Sequence, residues 1–217
     1  MKPLVVGRPV VIVVDIQNST GRSFEEVGIA LMEGHETVLA PAQRVVAAAR
    51  AAGVPVVFFQ EAHRRSMIDF GRELDGDEGV HCLEGDAATE LHPDLLPLAG
   101  EPHIVKRRYS CFFGTELEIV LKGLKAETLV LIGGLTNVCV HYTFVDGHQH
   151  DYVMRVVTDA VAGSSIEAHH ASLTAMEYLQ HGARRTSDEV VAAFDELAAA
   201  SPAPPSPSSS DRTPVTV

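Results

Sequence analysis

The sequence predicts an α/β fold, a three-layer αβα sandwich around a central, mostly parallel sheet of six strands. Three observations carry that expectation. The run Val10-Val11-Ile12-Val13-Val14 is apolar and β-branched at every position, which marks a strand buried on both faces. Similar short apolar runs then alternate with helix-length amphipathic stretches, the pattern of right-handed βαβ crossovers. Finally, 46% apolar residues in a chain of 217 supply one core of generous size.

Each element has its own signal. The first strand follows Pro9 and stops abruptly at Asp15. Pro41 to Ala52 places Val45, Val46 and Ala49 on one helical face, with a proline suited to the first turn and Gly53 suited to the stop. Val54 to Gln60 reads as the second strand. Residues 61–101 hold five glycines and two prolines among the acids, so they read as a long excursion with one short helix. His103 to Lys106 is a short strand, and Thr115-Glu116-Leu117-Glu118 has capping-box spacing for a helix ending near Gly123. Thr128 to Ile132 is the next strand, followed by a tight Gly133-Gly134 turn and a helix from about Asn137 to His150. Val153 to Val157 is a strand with Asp159 just beyond it, and Glu167 to His181 a helix closed by Gly182. A short strand near Ala183 to Thr186 and a helix from Asp188 to about Ala199 complete a single domain over residues 1–200. Five prolines and five serines among residues 201–217 predict a disordered tail.

Charge narrows the function classes. Against 17 Lys and Arg stand 29 Asp and Glu, a net of −12, so a basic groove for nucleic acid is not expected. No apolar run is long enough for a membrane span, and Met1 to Pro9 lacks the pattern of a secretory leader. Three cysteines, an odd number, point to a reducing cytoplasm rather than a disulfide framework. The acidity is uneven: residues 61–101 carry eleven acids and three bases, whereas 102–150 carry four acids and five bases.

In an open α/β sheet, reactive groups gather at the carboxyl ends of the strands. Asp15, Lys106 and Cys139 stand at such places. Singly, each has a plain structural reading, as a helix cap, a surface charge and a packing thiol. Together they make a nucleophile, an acid/base carboxylate and an orienting cation. The start of a helix beside Cys139, in a neutral-to-basic stretch, is expected to favour its thiolate.

Three stretches carry a resemblance to a known family: Val13-Val14-Asp15-Ile16-Gln17-Asn18, then Lys106-Arg107-Arg108-Tyr109-Ser110 with Phe112-Phe113, and Gly133-Gly134-Leu135-Thr136-Asn137-Val138-Cys139-Val140. In this order the chain resembles the isochorismatase-like cysteine hydrolases over about Pro9 to Ala199. The resemblance implies a triad of Asp15, Lys106 and Cys139, a cis peptide between Gly134 and Leu135, and an oxyanion hole from the Leu135 and Cys139 amides. Because the namesake branch lacks the cysteine, it also implies an amidase or ureido-amide hydrolase passing through a thioester. Relatives commonly form dimers or tetramers, so a homodimer or homotetramer is expected. Nicotinamidases of the family add a metal at an Asp-x-His pair after the second strand. Here Glu61-Ala62-His63 stands in that place, with Asp69 and His81 downstream, and the expectation is that these residues line the pocket mouth without metal or other cofactor.

Gln17, His63, Arg108, Tyr109 and Phe113 are the candidate residues for binding a small amide or ureido substrate. Arg107 and Arg108 could clamp a carboxylate or, equally, pair with the acidic excursion. Cys82 beside His81 is a weaker nucleophile candidate, and Cys111 reads as packing. His148 and His150, two apart on a helix, face different ways and do not make a metal pair. Two further readings remain: a metal-assisted nicotinamidase, and a redox-reactive or scaffold protein using only the thiol.

Overall fold

The computed structural model describes residues 2–19 and 22–200; the predicted tail, 201–217, lies outside the described residues. Strands β1 (Pro9–Val14), β2 (Val56–Glu61), β3 (His103–Lys106), β4 (Thr128–Gly134), β5 (Val153–Ala162) and β6 (Arg184–Arg185) form one sheet in the order β3-β2-β1-β4-β5-β6. Every pairing is parallel. The helices are α1 (Phe24–Val27), α2 (Leu39–Ala51), α3 (Leu117–Leu124), α4 (Cys139–Gln149), α5 (Ile166–Leu179) and α6 (Ser187–Ala200). None is long and apolar enough to cross a membrane.

Strand periodicity divides β1 between two cores. Val10, Ile12 and Val14 pack with Leu117, Leu121, Val140, Phe144, Leu173 and Met176 from α3, α4 and α5. Val11 and Val13 pack on the opposite face with Val45, Val46, Val190 and Phe194 from α2 and α6. The all-apolar run therefore reflects helices on both sides of the sheet, as a parallel sheet requires.

Several local expectations change. Thr115 and Glu118 do not form a capping box: the cap of α3 is Glu116, without a side-chain cap bond, while Thr115 Oγ1 donates to the Cys111 carbonyl at 2.5 Å. The Thr115 oxygen also accepts from Leu117 N at 3.2 Å, so the residue still supports the start of α3 from one position before the cap, without the reciprocal Glu118 bond. Strand β5 continues past Val157 through a register shift opposite Leu131 and Gly133, so Asp159 lies within it. Its carboxylate accepts from Ser187 N at 2.8 Å and Ser187 Oγ at 2.5 Å, thereby anchoring the start of α6. The excursion holds only a 3₁₀ turn at Glu73–Asp75. It is stitched to the segment after β1 by Asn18 N to Glu90 O at 2.7 Å and His92 N to Ile16 O at 3.0 Å. Its charged residues are thereby placed over the strand ends.

Candidate active site

The strand order reverses direction from β1 to β4, and the crevice of such a sheet opens where neighbouring strands lead to opposite sides. Asp15 leaves the end of β1 there, and β4 leads through Gly133 and Gly134 to α4. Glu61 and Lys106 end β2 and β3 and are register partners. Alternation puts Glu61 on the face of Phe59 and Lys106 on the face of Ile104, and both of those residues belong to the core that contains Cys139. Four chain segments thus deliver four reactive side chains to one point.

Backbone constraints fix two of them. Asp15 adopts a left-handed conformation, φ 50°, which turns its side chain out of the strand alternation; Asp tolerates this region better than most residues. Gly133 has φ 113°, and a Cβ there would lie 1.9 Å from the Val14 carbonyl oxygen. Only glycine lets β4 pass β1 so closely. The Gly134–Leu135 peptide is cis, at the position the family resemblance implies.

Lys106 Nζ lies 2.8 Å from Asp15 Oδ2, 2.5 Å from Glu61 Oε2 and 3.4 Å from Cys139 Sγ. The Cys139 thiol donates to Glu61 Oε2 at 3.3 Å. Lys106 is 1% exposed, so one ammonium serves two buried carboxylates and a thiol. Burial raises the Asp15 pKa to about 6, against the pull of Lys106 and with a further push from Glu61. Burial also opposes ionisation of Glu61, but Lys106, then His63 and His81, outweigh it and hold that carboxyl well below the usual range. Glu61 is the ionised partner of Lys106, while Asp15 can gain or lose a proton near neutrality.

The expected bias of Cys139 toward thiolate is corrected. Burial pushes its pKa well up and the Glu61 and Asp15 carboxylates add to this, with Lys106 opposing. The neutral-to-basic stretch around Cys139 in sequence was a poor guide, because acids from β1 and β2 supply its surroundings. Burial and the two carboxylates thus favour the protonated thiol.

The pocket above this cluster is lined by Asp15, Gln17, Glu61, Glu78, Tyr109, Leu135 and Cys139, among others. Gln17 and Tyr109 are at its wall as expected, with Gln17 Nε2 donating to Glu61 O at 2.9 Å. His63, Arg108 and Phe113 are not among the residues lining it, which corrects their assignment to substrate binding. His63 is fully buried and stacks on Phe70, ring centroids 4.0 Å apart. Arg108 donates to the Asp69 and Arg107 carbonyls, and Arg107 pairs with Glu84 at 2.6 Å. Both arginines therefore bind the excursion, where unpaired backbone and acids need donors. Phe113 is 66% exposed and points away. Cys111 is fully buried in the core, and His150 stacks on Phe112.

Glu61 is the residue the sequence reading undervalued, as one half of a pocket-mouth pair. Ending the predicted strand at Gln60 hid it; the strand-end rule that selected Lys106 selects Glu61 once β2 is one residue longer. Glu61 and His63 are buried beneath the pocket rather than at its mouth. Glu61 Oε1 lies 3.3 Å from His63 Nε2 and 3.2 Å from His81 Nε2, and Glu73 Oε2 lies 3.1 Å from His63 Nε2. His81 Nδ1 donates to the Gly79 carbonyl at 2.8 Å, which aims Nε2 at this centre. Glu73 Oε1 is buried without a hydrogen bond among the described residues. One ligand atom from each of Glu61, His63, Glu73 and His81 lies within 4.8 Å of the others. Two imidazoles and two carboxylates, one histidine oriented by a carbonyl, fit a divalent cation.

Comparison with known proteins agrees with this geometry. Residues 9–189 match the isochorismatase domain family. A ureidoacrylate amidohydrolase RutB from Pseudomonas syringae pv. syringae is 32% identical over 178 residues, covering 74% of this chain and 71% of the relative. A cysteine hydrolase structure from Pseudomonas syringae pv. phaseolicola superposes with TM-score 0.76 at 28% identity, covering 90% of this chain and 99% of that one. An N-carbamoylsarcosine amidase from Thermoplasma acidophilum superposes with TM-score 0.70 at 27% identity, covering 84% and 98%.

Proposed function

The chain belongs to the isochorismatase family, and from that premise we propose that Cys139 is the nucleophile, Asp15 the proton carrier and Lys106 the orienting cation of its reaction. The protein is a cysteine-dependent amidohydrolase that cleaves a non-peptide C–N bond of a small linear amide or ureido compound. Relatives named for ureidoacrylate hydrolysis favour the ureido class. The observation that carries the residue roles is the contact of Lys106 with Asp15, Glu61 and Cys139 at the floor of one pocket.

The chemistry follows from the charges. Because the thiol rests protonated, its proton passes to Asp15 as sulfur attacks the substrate carbonyl. The oxyanion sits against the Leu135 and Cys139 amides, which flank the pocket. Asp15 returns the proton to the departing nitrogen, leaving a thioester. Water, deprotonated by Asp15, then releases the acid or carbamate and restores the thiol. Glu61 stays ionised throughout and balances Lys106, so Asp15 is left to move the proton.

The metal-assisted reading is favoured by the cluster of Glu61, His63, Glu73 and His81. These residues would hold a divalent cation, which would supply Lewis-acid polarisation to the reaction. Three free thiols support a reducing, cytoplasmic setting, and exposed Phe113, Ile119 and Tyr142 suit a homodimer or homotetramer.

An ammonia-release screen over ureido compounds, nicotinamide and simple amides tests the roles. Cys139→Ala is expected to abolish release while retaining the fold. Full activity in that variant would overturn the mechanism.

A further inference from the structure

A substrate entering the pocket meets three carboxylates, Asp15, Glu61 and Glu78. Among the described residues lining it there is no arginine or lysine. The ammonium below, Lys106, is already bridged to Asp15 and Glu61. Arg107 and Arg108, the cations nearest in sequence, are committed to the excursion. His81 is engaged at both ring nitrogens, with the Gly79 carbonyl and Glu61. Arg22, on a neighbouring cavity, donates to the Asn18 carbonyl. The rest of the lining includes Ile29, Leu31 and Val38 together with His35, whose Nδ1 lies 3.1 Å from the Met32 carbonyl and 3.5 Å from Glu36.

Glu78 is held as a fixed feature of this wall. Tyr109 Oη donates to its Oε2 at 2.9 Å, and the Tyr109 ring is stacked on Tyr142 with centroids 5.8 Å apart. A carboxylate has more acceptor sites than one phenol fills, and burial raises the Glu78 pKa against the Tyr109 bond. A half-buried carboxylate of this kind gains most from a further donor or a cation.

We propose that the pocket selects amide or ureido substrates whose far end is cationic or a neutral hydrogen-bond donor, received by Glu78, and that it rejects substrates ending in a carboxylate. This rests on the reading of Cys139 as the nucleophile of an amidohydrolase, and it sets this chain apart from the relatives named for ureidoacrylate, a ureido compound that itself ends in a carboxylate. A carboxylate at the far end would face Glu78 on the wall, with Lys106 already bridged to Asp15 and Glu61, and unfavourable pairing of that kind is how sites exclude a competitor. Chain length alone would not discriminate in this way.

The test uses charge-matched trios with the full-length protein. The ureas are N-(3-aminopropyl)urea, N-propylurea and 3-ureidopropionate; the amides are 4-aminobutanamide, butanamide and succinamate. Expected at neutral pH is a kcat/KM for the cationic member at least about tenfold above the anionic one, with the neutral member between them. Glu78→Gln should narrow the cation-to-anion ratio by about tenfold. The wild-type ratio decides even if the variant does not fold. Equal or faster turnover of the anionic members would overturn the selectivity while leaving the Cys139 mechanism standing. Absence of turnover throughout both trios and the broader screen would instead remove the amidohydrolase reading, and the selectivity with it.

Discussion

Replacing Lys106 with methionine isolates the charge at the centre of the site, because methionine keeps an unbranched side chain of similar length. The ammonium lies 2.8 Å from Asp15 Oδ2 and 2.5 Å from Glu61 Oε2. At an effective dielectric of about 20, each contact is worth roughly 6 kcal/mol before desolvation is subtracted. Removing one partner of a buried pair costs about 3–5 kcal/mol, because the other charge is left stranded. For 217 residues that lowers Tm by about 6–20 °C. Loss of a preorganised charge of this kind also reduces kcat by about 10²–10³-fold. Calorimetry and an ammonia assay at pH 7 read the two effects. Adding Asp15→Asn to the variant removes the carboxylate that has no other ion-pair partner among the described residues, so about half of the lost stability should return without the activity. A Tm within about 2 °C of wild type for Lys106→Met, or no recovery in the double variant, would refute the account of one ammonium bridging two buried acids.

Three other outcomes follow from the same structure. Asp15 must be ionised to accept the thiol proton, so kcat/KM should rise with pH through about 6; Glu61→Gln removes a charge that raises this pKa and should move the limb to lower pH, and an unmoved limb would show that another group titrates. In chelator-treated protein, His63 has its pKa raised from 6.5 to about 9, since its bonds to Glu61 and Glu73 outweigh the effect of burial. Its stabilisation is full below 6.5 and is lost as pH rises through 9, so the urea midpoint should fall across that window and fall less in His63→Gln. Gly133→Ala would bring a methyl group 1.9 Å from the Val14 carbonyl oxygen; β1 and β4 must then separate, and soluble expression or thermal melting should report a loss of about 3 kcal/mol or more.

The strands and most helices were legible because their signal is local. The Val10 to Val14 run needs apolar neighbours on both faces, and the sheet supplies them. The Thr115 box misled because α3 starts one residue later than the pattern implies, with Glu116 at the cap and Thr115 accepting from Leu117 N. Asp159 was placed outside its strand because a register shift within β5 breaks the alternation on which the reading relied.

At the site, sequence by itself singled out Asp15, Lys106 and Cys139, since each stands at a strand end and a parallel sheet brings those ends together. The tight turn expected at Gly133-Gly134 is corrected: both glycines lie within β4, paired with Val161 and Ala162 of β5. Tertiary structure alone decided what surrounds the three reactive residues. Glu61 reaches Lys106 through strand register, Glu73 and Glu78 arrive from an excursion with little regular structure, and Arg107 and Arg108 turn outward to that same excursion. The sign of the Cys139 shift reversed for the same reason. Burial and the charges nearest in space set a pKa, and in this protein the closest acids to Cys139 come from positions 15 and 61.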